Sequence, residues 1–327
     1  MGLHSPIMEG EFSISDLVRE AAERSIAVNY LTDTCPDIDL PSMSGTLLAE
    51  EVQPGLLISG FDLTYTADHQ LDVEMERSVG CAVLLDGWGA PLEVAGHAPI
   101  GHELGRVSIV GYGEPMTCMR PWRAGQRTRA FGISIKPEFL DRFQDAVDDG
   151  LGPLRSFIEP GLHSALLPRS EKILDIAEAT LHEPYAGALR ALHRESQALR
   201  FMVEVGSMLR AENDLIRSLG ERQFARICHA REILDRSLVS PPKVLDLARE
   251  LGVNVTTLQA NFKAAFGTTI FGYVRQRRLE MGRSLIFDHK LAIAEAGYRV
   301  GFNSAAAFTA AYRRHFGQPP SAERHDS

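Results

Sequence analysis

The chain has no apolar run near the roughly 18 residues that a membrane helix needs, so no helical membrane span is expected. Met1 to Glu11 show no basic stretch followed by an apolar one. No secretory signal is therefore expected, and the cytoplasm is the expected compartment. Cysteine is scarce. Cys35, Cys81, Cys118 and Cys228 are scattered without a CxxC pair or zinc spacing, and they read as free thiols in a reducing compartment. There is no G-x-S-x-G elbow, no Walker loop and no dinucleotide fingerprint, so the commonest hydrolase and nucleotide-binding chemistries find no signature. Nothing places Cys81 or Cys118 beside His97 or His102 as a thiol–imidazole pair. No enzymatic activity and no cofactor are expected.

What is present suits a water-soluble chain of two domains: 327 residues, 44% hydrophobic and 24% charged, each half long enough to bury its own core. The net charge of -9 hides an asymmetry. Residues 1–221 hold 18 Lys and Arg against 34 Asp and Glu, whereas residues 222–327 hold 16 against 9. An acidic body repels a polyanion and a basic tail attracts one, which points to two jobs on one chain.

Ser15 to Leu31 reads as an amphipathic helix, with Ser13 or Ser15 as cap and Leu17, Val18, Ala21 and Ala22 on one stripe. From about Thr46 to Ile135, short apolar runs (Leu56 to Ile58, Cys81 to Leu85, Val107 to Val110, Phe131 to Ile135) alternate with Gly, Pro and Asp, the texture of an antiparallel sandwich or barrel. Pro137 to Phe143 returns to helix, and 170–237 is almost wholly helical, in segments 171–181, 187–209 and 223–238. Leu189, Leu192, Leu199 and Val203, with Phe201 and Met202, give the middle segment its apolar stripes. Those stripes need a partner, either the barrel or the same helix of a second subunit.

The last ninety residues contain an internal repeat. Copy one runs from Val244 to Leu251, through Gly252, to Phe266 and Gly267. Copy two runs from Ile293 to Val300, through Gly301, to Phe316 and Gly317. The turn glycines are 49 residues apart and the terminal Phe-Gly pairs 50. Each copy reads as a short helix, a glycine turn and a second helix, the helix-turn-helix pattern. Leu247, Leu251, Leu258 and Phe262 are the expected packing residues of the first copy, and Val300, Phe302, Phe308 and Tyr312 those of the second. Between them, Phe271 to Phe287 carries a basic run of Arg275, Arg277, Arg278 and Arg283. As a helix it would hold the two reading helices about one DNA turn apart.

On these residues, 223–321 resemble the DNA-binding domain of AraC/XylS-type regulators, the matching stretches being LARELGVNVTTLQANFKAAFGTTIFGYVRQRRLEMG and AGYRVGFNSAAAFTAAYRRHFGQPPS. The resemblance implies that the second helix of each copy enters the major groove. By position, Thr256, Thr257, Gln259 and Ala260 face bases in copy one and Lys263 meets phosphate. In copy two, Ser304, Ala305, Ala306, Thr309 and Ala310 face the groove, and Arg313 and Arg314 face the backbone. Alanine offers no hydrogen bond to a base edge and touches only a thymine methyl. Copy one is therefore expected to supply most hydrogen-bonded readout and copy two to position the protein through phosphate and shape.

The front half resembles the cupin-like sensor domains of such regulators, and residues 173–209 resemble the helices that follow the barrel in the pyochelin-regulator subgroup. His97 and His102 are five apart with Glu103 adjacent, but the HxH of metal cupins is absent. They read as surface or loop residues, and no metal is expected. Arg120, Trp122, Arg123, Arg127 and Arg129 form a basic island in an acidic domain, with no acid between Glu114 and Glu138. Arginine forks suit phosphate, and Arg123 with Arg127 makes an RxxxR that resembles the cyclic di-GMP motif of PilZ receptors. Its companion Asp/Asn-x-Ser-x-x-Gly does not follow. Three readings stand: arginines paired with the domain's own carboxylates, a site for an anionic nucleotide such as cyclic di-GMP, or a site for another anion such as a ferric siderophore or sugar acid.

The expected whole is an α+β chain. A cupin-like β-barrel or sandwich sensor domain with flanking helices spans 1–220, and an all-α double helix-turn-helix domain spans 221–327. It is expected to form a homodimer through helices around 187–218 and to bind promoter DNA under a small anionic effector. Acting as an activator, it would also meet RNA polymerase; no membrane partner is expected.

Overall fold

The computed structural model describes residues 7–23, 28–31, 38–143, 150–287 and 291–323, and Cys35 lies outside them. The chain divides into two compact units, Met1–Arg210 and Ala211–Ser327, the division falling inside one long helix. No described helix is long and apolar enough to cross a membrane.

The first unit holds strands β1 (Ile7–Phe12), β2 (Val28–Leu31), β3 (Met43–Gln53), β4 (Leu56–Tyr65), β5 (His69–Met75), β6 (Ser78–Gly87), β7 (Glu93–Val94), β8 (Val107–Tyr112), β9 (Met116–Trp122), β10 (Arg127–Ile135) and β11 (Leu162–Leu166). Its helices are α1 (Ile14–Glu23), the short α2 (Pro137–Asp141) and α3 (Gly152–Arg155), α4 (Glu171–Leu181) and α5 (Gly187–Leu219). Each expected apolar run lies in a strand: β4, β6, β8 and β10.

Those four strands sit in an antiparallel seven-stranded sheet of order β1-β3-β4-β10-β6-β8-β11. Alternation along each strand gives the sheet two different faces. Leu56 and Ile58, Val79, Cys81 and Val83, Val107 and Ile109, and Phe131, Ile133 and Ile135 pack with Ile173, Ile176 and Ala177 of α4 and Ala198, Phe201 and Val205 of α5. Phe201 meets Phe131 edge-on, ring centres 5.4 Å apart. A second core joins Phe12, Met43, Leu63, Tyr65 and Tyr112 of the large sheet to Val73, Val94, Cys118 and Trp122 of a four-stranded sheet ordered β2-β5-β9-β7.

One expectation, barrel or sandwich, is narrowed and another is corrected. The sheets do not close into a barrel among the described residues: β1 and β11 end one sheet and β2 and β7 the other, so the arrangement is an open pair of sheets with helices on the large one. The amphipathic helix is also shorter than expected. The described helix is Ile14–Glu23, and Val28 to Leu31 form a strand whose Leu31 lies opposite Asp72 of β5. Pairing with β5 outweighs the local periodicity. The helix start follows the sequence signal. The Ser13 hydroxyl accepts from the Asp16 N–H at 3.2 Å and the Asp16 carboxylate accepts from the Ser13 N–H at 2.9 Å, a reciprocal cap. The Ser13 amide is the main influence holding Asp16 below the ordinary carboxylate range.

The second unit is helical: α6 (Glu221–Arg236), α7 (Val244–Glu250), α8 (Val255–Phe266), α9 (Ile270–Phe287), α10 (Ile293–Arg299), α11 (Ala305–Phe316) and α12 (Pro320–Glu323). It has two cores. Leu247, Leu251, Leu258 and Phe262 pack with Ile227 and Leu234 of α6 and Tyr273 and Val274 of α9. Leu279 and Ile286, further along α9, pack with Val300, Phe308 and Tyr312. One helix thus supplies a wall to both helix-turn-helix units.

Candidate nucleic-acid interface

Each unit turns on a glycine with positive φ, Gly252 at +64° and Gly301 at +86°, a conformation that other residues adopt only at a cost. The second helices start with matching caps. The Asn254 side chain accepts from the Thr257 N–H at 2.7 Å and the Ser304 hydroxyl from the Ala307 N–H at 3.1 Å. These helices are therefore in step at an offset of 50 residues, against 49 for the turns. Copy two has one more residue in its turn, and Asn303, which aligns with Asn254 by the turn spacing, lies outside the helix. Both helices end at left-handed glycines, Gly267 and Gly317.

The caps fix which faces point outward. In α8, Leu258 and Phe262 are fully buried, while Thr256, Gln259, Ala260 and Lys263 are exposed and Thr257 is partly so. In α11, Phe308, Ala311 and Tyr312 are buried, Ala306, Ala310, Arg313 and Arg314 are exposed, and Ser304, Ala305 and Thr309 are partly exposed. The exposed stripe of α8 offers an amide, a hydroxyl and an ammonium group. That of α11 offers methyl groups ending in two guanidinium groups.

The basic run of α9 does structural work that sequence reasoning missed. Arg277 bonds Asp235 (3.2 Å) and Glu280 (2.7 Å), and the Tyr273 hydroxyl donates to the same Asp235 at 2.8 Å. Arg283 lies over the Phe316 ring at 5.7 Å. Arg278 reaches three backbone carbonyls.

The arginine island is split by the fold. Arg127 and Arg129 leave β10 on the face that carries α4. Arg127 makes a two-pronged bond to Asp62, both contacts 2.7 Å, and a longer one to Asp86 at 3.4 Å. Arg129 forks onto Glu178 of α4 at 2.8 and 2.5 Å. Burial pushes the Glu178 carboxyl up, but Arg129 and then His182 outweigh it and hold it below its usual range. Arg123 faces Asp68 at 3.7 Å, both exposed. Trp122 is 9% exposed and stacks on Tyr65, ring centres 5.1 Å apart. Arg120 is partly buried on β9, and after burial its charge is the second influence holding the His102 imidazole down at about 4. His102 bonds Ser108 at 3.1 Å, Glu103 bonds Arg106 at 2.7 Å, and His97 is exposed. Among the described residues no group of three or more His, Cys, Asp or Glu is placed to hold a metal.

Comparison with known proteins agrees with this layout. The family model "Regulatory protein PchR N-terminal domain" matches residues 44–218, and a helix-turn-helix domain model matches 247–326. The chain is similar to the regulatory protein PchR of Pseudomonas aeruginosa, 29% identical over 154 residues that cover 45% of this chain and 51% of that protein. It is also similar to the virulence regulon transcriptional activator VirF of Yersinia enterocolitica, 29% identical over 109 residues covering 33% and 39%. The match thus spans about two fifths to half the length of these relatives. Among solved structures, an AraC-type regulator from Chromobacterium violaceum matches 31% of this chain and 90% of its own at 29% identity, with a TM-score of 0.30. With over half its length matched by the PchR-type N-terminal model and a helix-turn-helix domain behind it, the chain belongs to the AraC family of transcription regulators.

Proposed function

We propose that the protein is a sequence-specific promoter-binding regulator that works as a homodimer in the cytoplasm and answers to a small anionic effector. The observation that carries the DNA reading is the pair of capped, outward-facing helices α8 and α11, each backed by its own core and joined through α9. Gln259 and Thr256 on α8 read base edges, Lys263, Arg313 and Arg314 hold phosphates, and the methyl face of α11 meets thymine methyls and groove shape. Selection of duplexes from a random library by the full chain tests this. Gln259→Ala should flatten base preference in one block per subunit of the enriched motif and cost about tenfold or more in affinity, on the scale of a bidentate base contact. If Thr309→Ala relaxes preference more than Gln259→Ala, the division of labour is wrong.

The dimer reading rests on α5, which has two apolar faces. Phe201 and Met202 are buried in the first unit's core, but Leu189, Leu192 and Val203 are 65%, 62% and 60% exposed. A second copy covers that stripe. Leu192→Glu with Val203→Glu should sediment as a monomer where the unaltered chain is a dimer; equal masses would refute the assignment.

For the effector, cyclic di-GMP at Arg123 and Arg127 is the specific candidate. It must displace Asp68, Asp62 and Asp86 from those arginines. Calorimetric titration should give micromolar binding that Arg123→Ala/Arg127→Ala abolishes. The absence of heat would leave these arginines as internal ion-pair partners. Bound as an activator, the protein contacts RNA polymerase, as its family resemblance implies.

A further inference from the structure

Arg278 sits on α9 between the two helix-turn-helix units and donates to backbone on both sides. Its Nε reaches the Leu238 carbonyl at 2.7 Å and one terminal nitrogen the Val239 carbonyl at 3.0 Å, both in the segment that leads from α6 to α7. The other terminal nitrogen reaches the Gly301 carbonyl at 3.0 Å, in the turn of the second unit. Leu238 and Val239 lie in the turn just past the C-cap of α6, Ser237. Burial lowers the Arg278 pKa from its usual value, as expected for a guanidinium group drawn into a protein seam.

The seam is tight as well as bonded. A Cβ added at Gly301 would lie 3.0 Å from both the Arg278 Cζ and the Val239 carbonyl oxygen. The turn of the second unit therefore abuts the approach to the first, with one planar guanidinium group between them. Elsewhere on α9, Arg277 bonds Asp235 of α6 and Glu280 of α9 itself, and Arg283 lies over the Phe316 ring of α11. A guanidinium group presents its donors in a fixed plane, so three carbonyls gathered on it have little freedom to shift against one another.

We infer that Arg278 is a positioning residue that sets the relative placement of α8 and α11, and thereby the spacing between the two DNA half-sites that the protein accepts. This rests on the DNA-binding reading above. A residue that only added stability would weaken binding at every spacing alike, whereas a residue that fixes geometry governs which spacing is preferred.

The test is selection from a random duplex library by the full-length protein, Arg278→Met and Arg278→Lys, with folding of each checked by circular dichroism. Each subunit of the unaltered protein should enrich two base blocks at one spacing. Arg278→Met should enrich the same blocks over several spacings and bind the parent duplex tenfold or more weakly, with part of that loss regained when one base pair is added or removed. Arg278→Lys, which keeps the charge and loses the plane, should fall between, and it carries the test alone if the methionine variant does not fold. An unchanged single spacing in the folded variants overturns the inference, as does enrichment of only one block per subunit by the unaltered protein. Failure of the unaltered chain to enrich any sequence defeats the DNA-binding reading instead.

Discussion

Gly297→Ala should destabilise the second unit by about 1 kcal/mol although it removes a glycine from the middle of a helix. Helix propensity alone predicts a gain of roughly 1 kcal/mol. Against this, an added Cβ would stand 2.9 Å from the Phe308 Cβ and 3.0 Å from its Cγ. Those atoms lie next to the backbone of α11 and move little, so overpacking at about 1–3 kcal/mol wins. Gly282 of α9 makes room on the other side, where a Cβ would lie 2.7 Å from the Phe308 ring. The repeat explains the arrangement. The counterparts of Gly297 and Phe308 in copy one are Ala248 and Leu258, both buried. A larger side chain on the second helix of copy two is matched by a smaller one on its first helix. Phe308→Leu alone should cost about 1 kcal/mol by leaving a gap. The double variant Gly297→Ala/Phe308→Leu, which installs the pair of copy one, should be more stable than the two single effects predict by at least 1 kcal/mol. Urea denaturation of the four proteins measures this. Additive effects would mean that the two positions do not compensate each other.

This compensation was only half visible in the sequence. The repeat itself was legible because its signals are local: two glycine turns, two Phe-Gly ends, and apolar residues at helical spacing. Those signals also placed Leu258, Phe262, Phe308 and Tyr312 in the core, where all four are buried. The one-residue offset between turns and helix ends was visible as a number, but the caps Asn254 and Ser304 were needed to say which turn is longer.

The first unit was less legible. Its strands follow from short apolar runs, but sheet closure depends on whether distant edges meet, and no local pattern encodes that. Val28 to Leu31 continued a helical pattern until pairing with β5 decided otherwise. The sequence left three readings of the arginine island open because its acids are remote in sequence. Asp62 lies 65 residues from Arg127, and Glu178 lies 49 from Arg129. The partners of the basic run of α9 were hidden for the same reason: Asp235 and the carbonyls of Leu238, Val239 and Gly301 engage Arg277 and Arg278.

The second large effect concerns DNA affinity itself. The chain as a whole is acidic, with a net charge of -9, so attraction to DNA must come from a local patch. Lys263, Arg313 and Arg314 are exposed at the ends of the two reading helices. A dimer presents each of them twice, which gives about six phosphate contacts and a slope of log affinity against log salt near -5. The measurement is fluorescence anisotropy of the full-length protein on a duplex it enriches, from 50 to 200 mM salt. The account predicts a loss of about a thousandfold in affinity over that range, reduced to a few tens of fold in the Leu192→Glu/Val203→Glu monomer. An affinity that stays flat with salt, or no saturable binding at 50 mM, would contradict it.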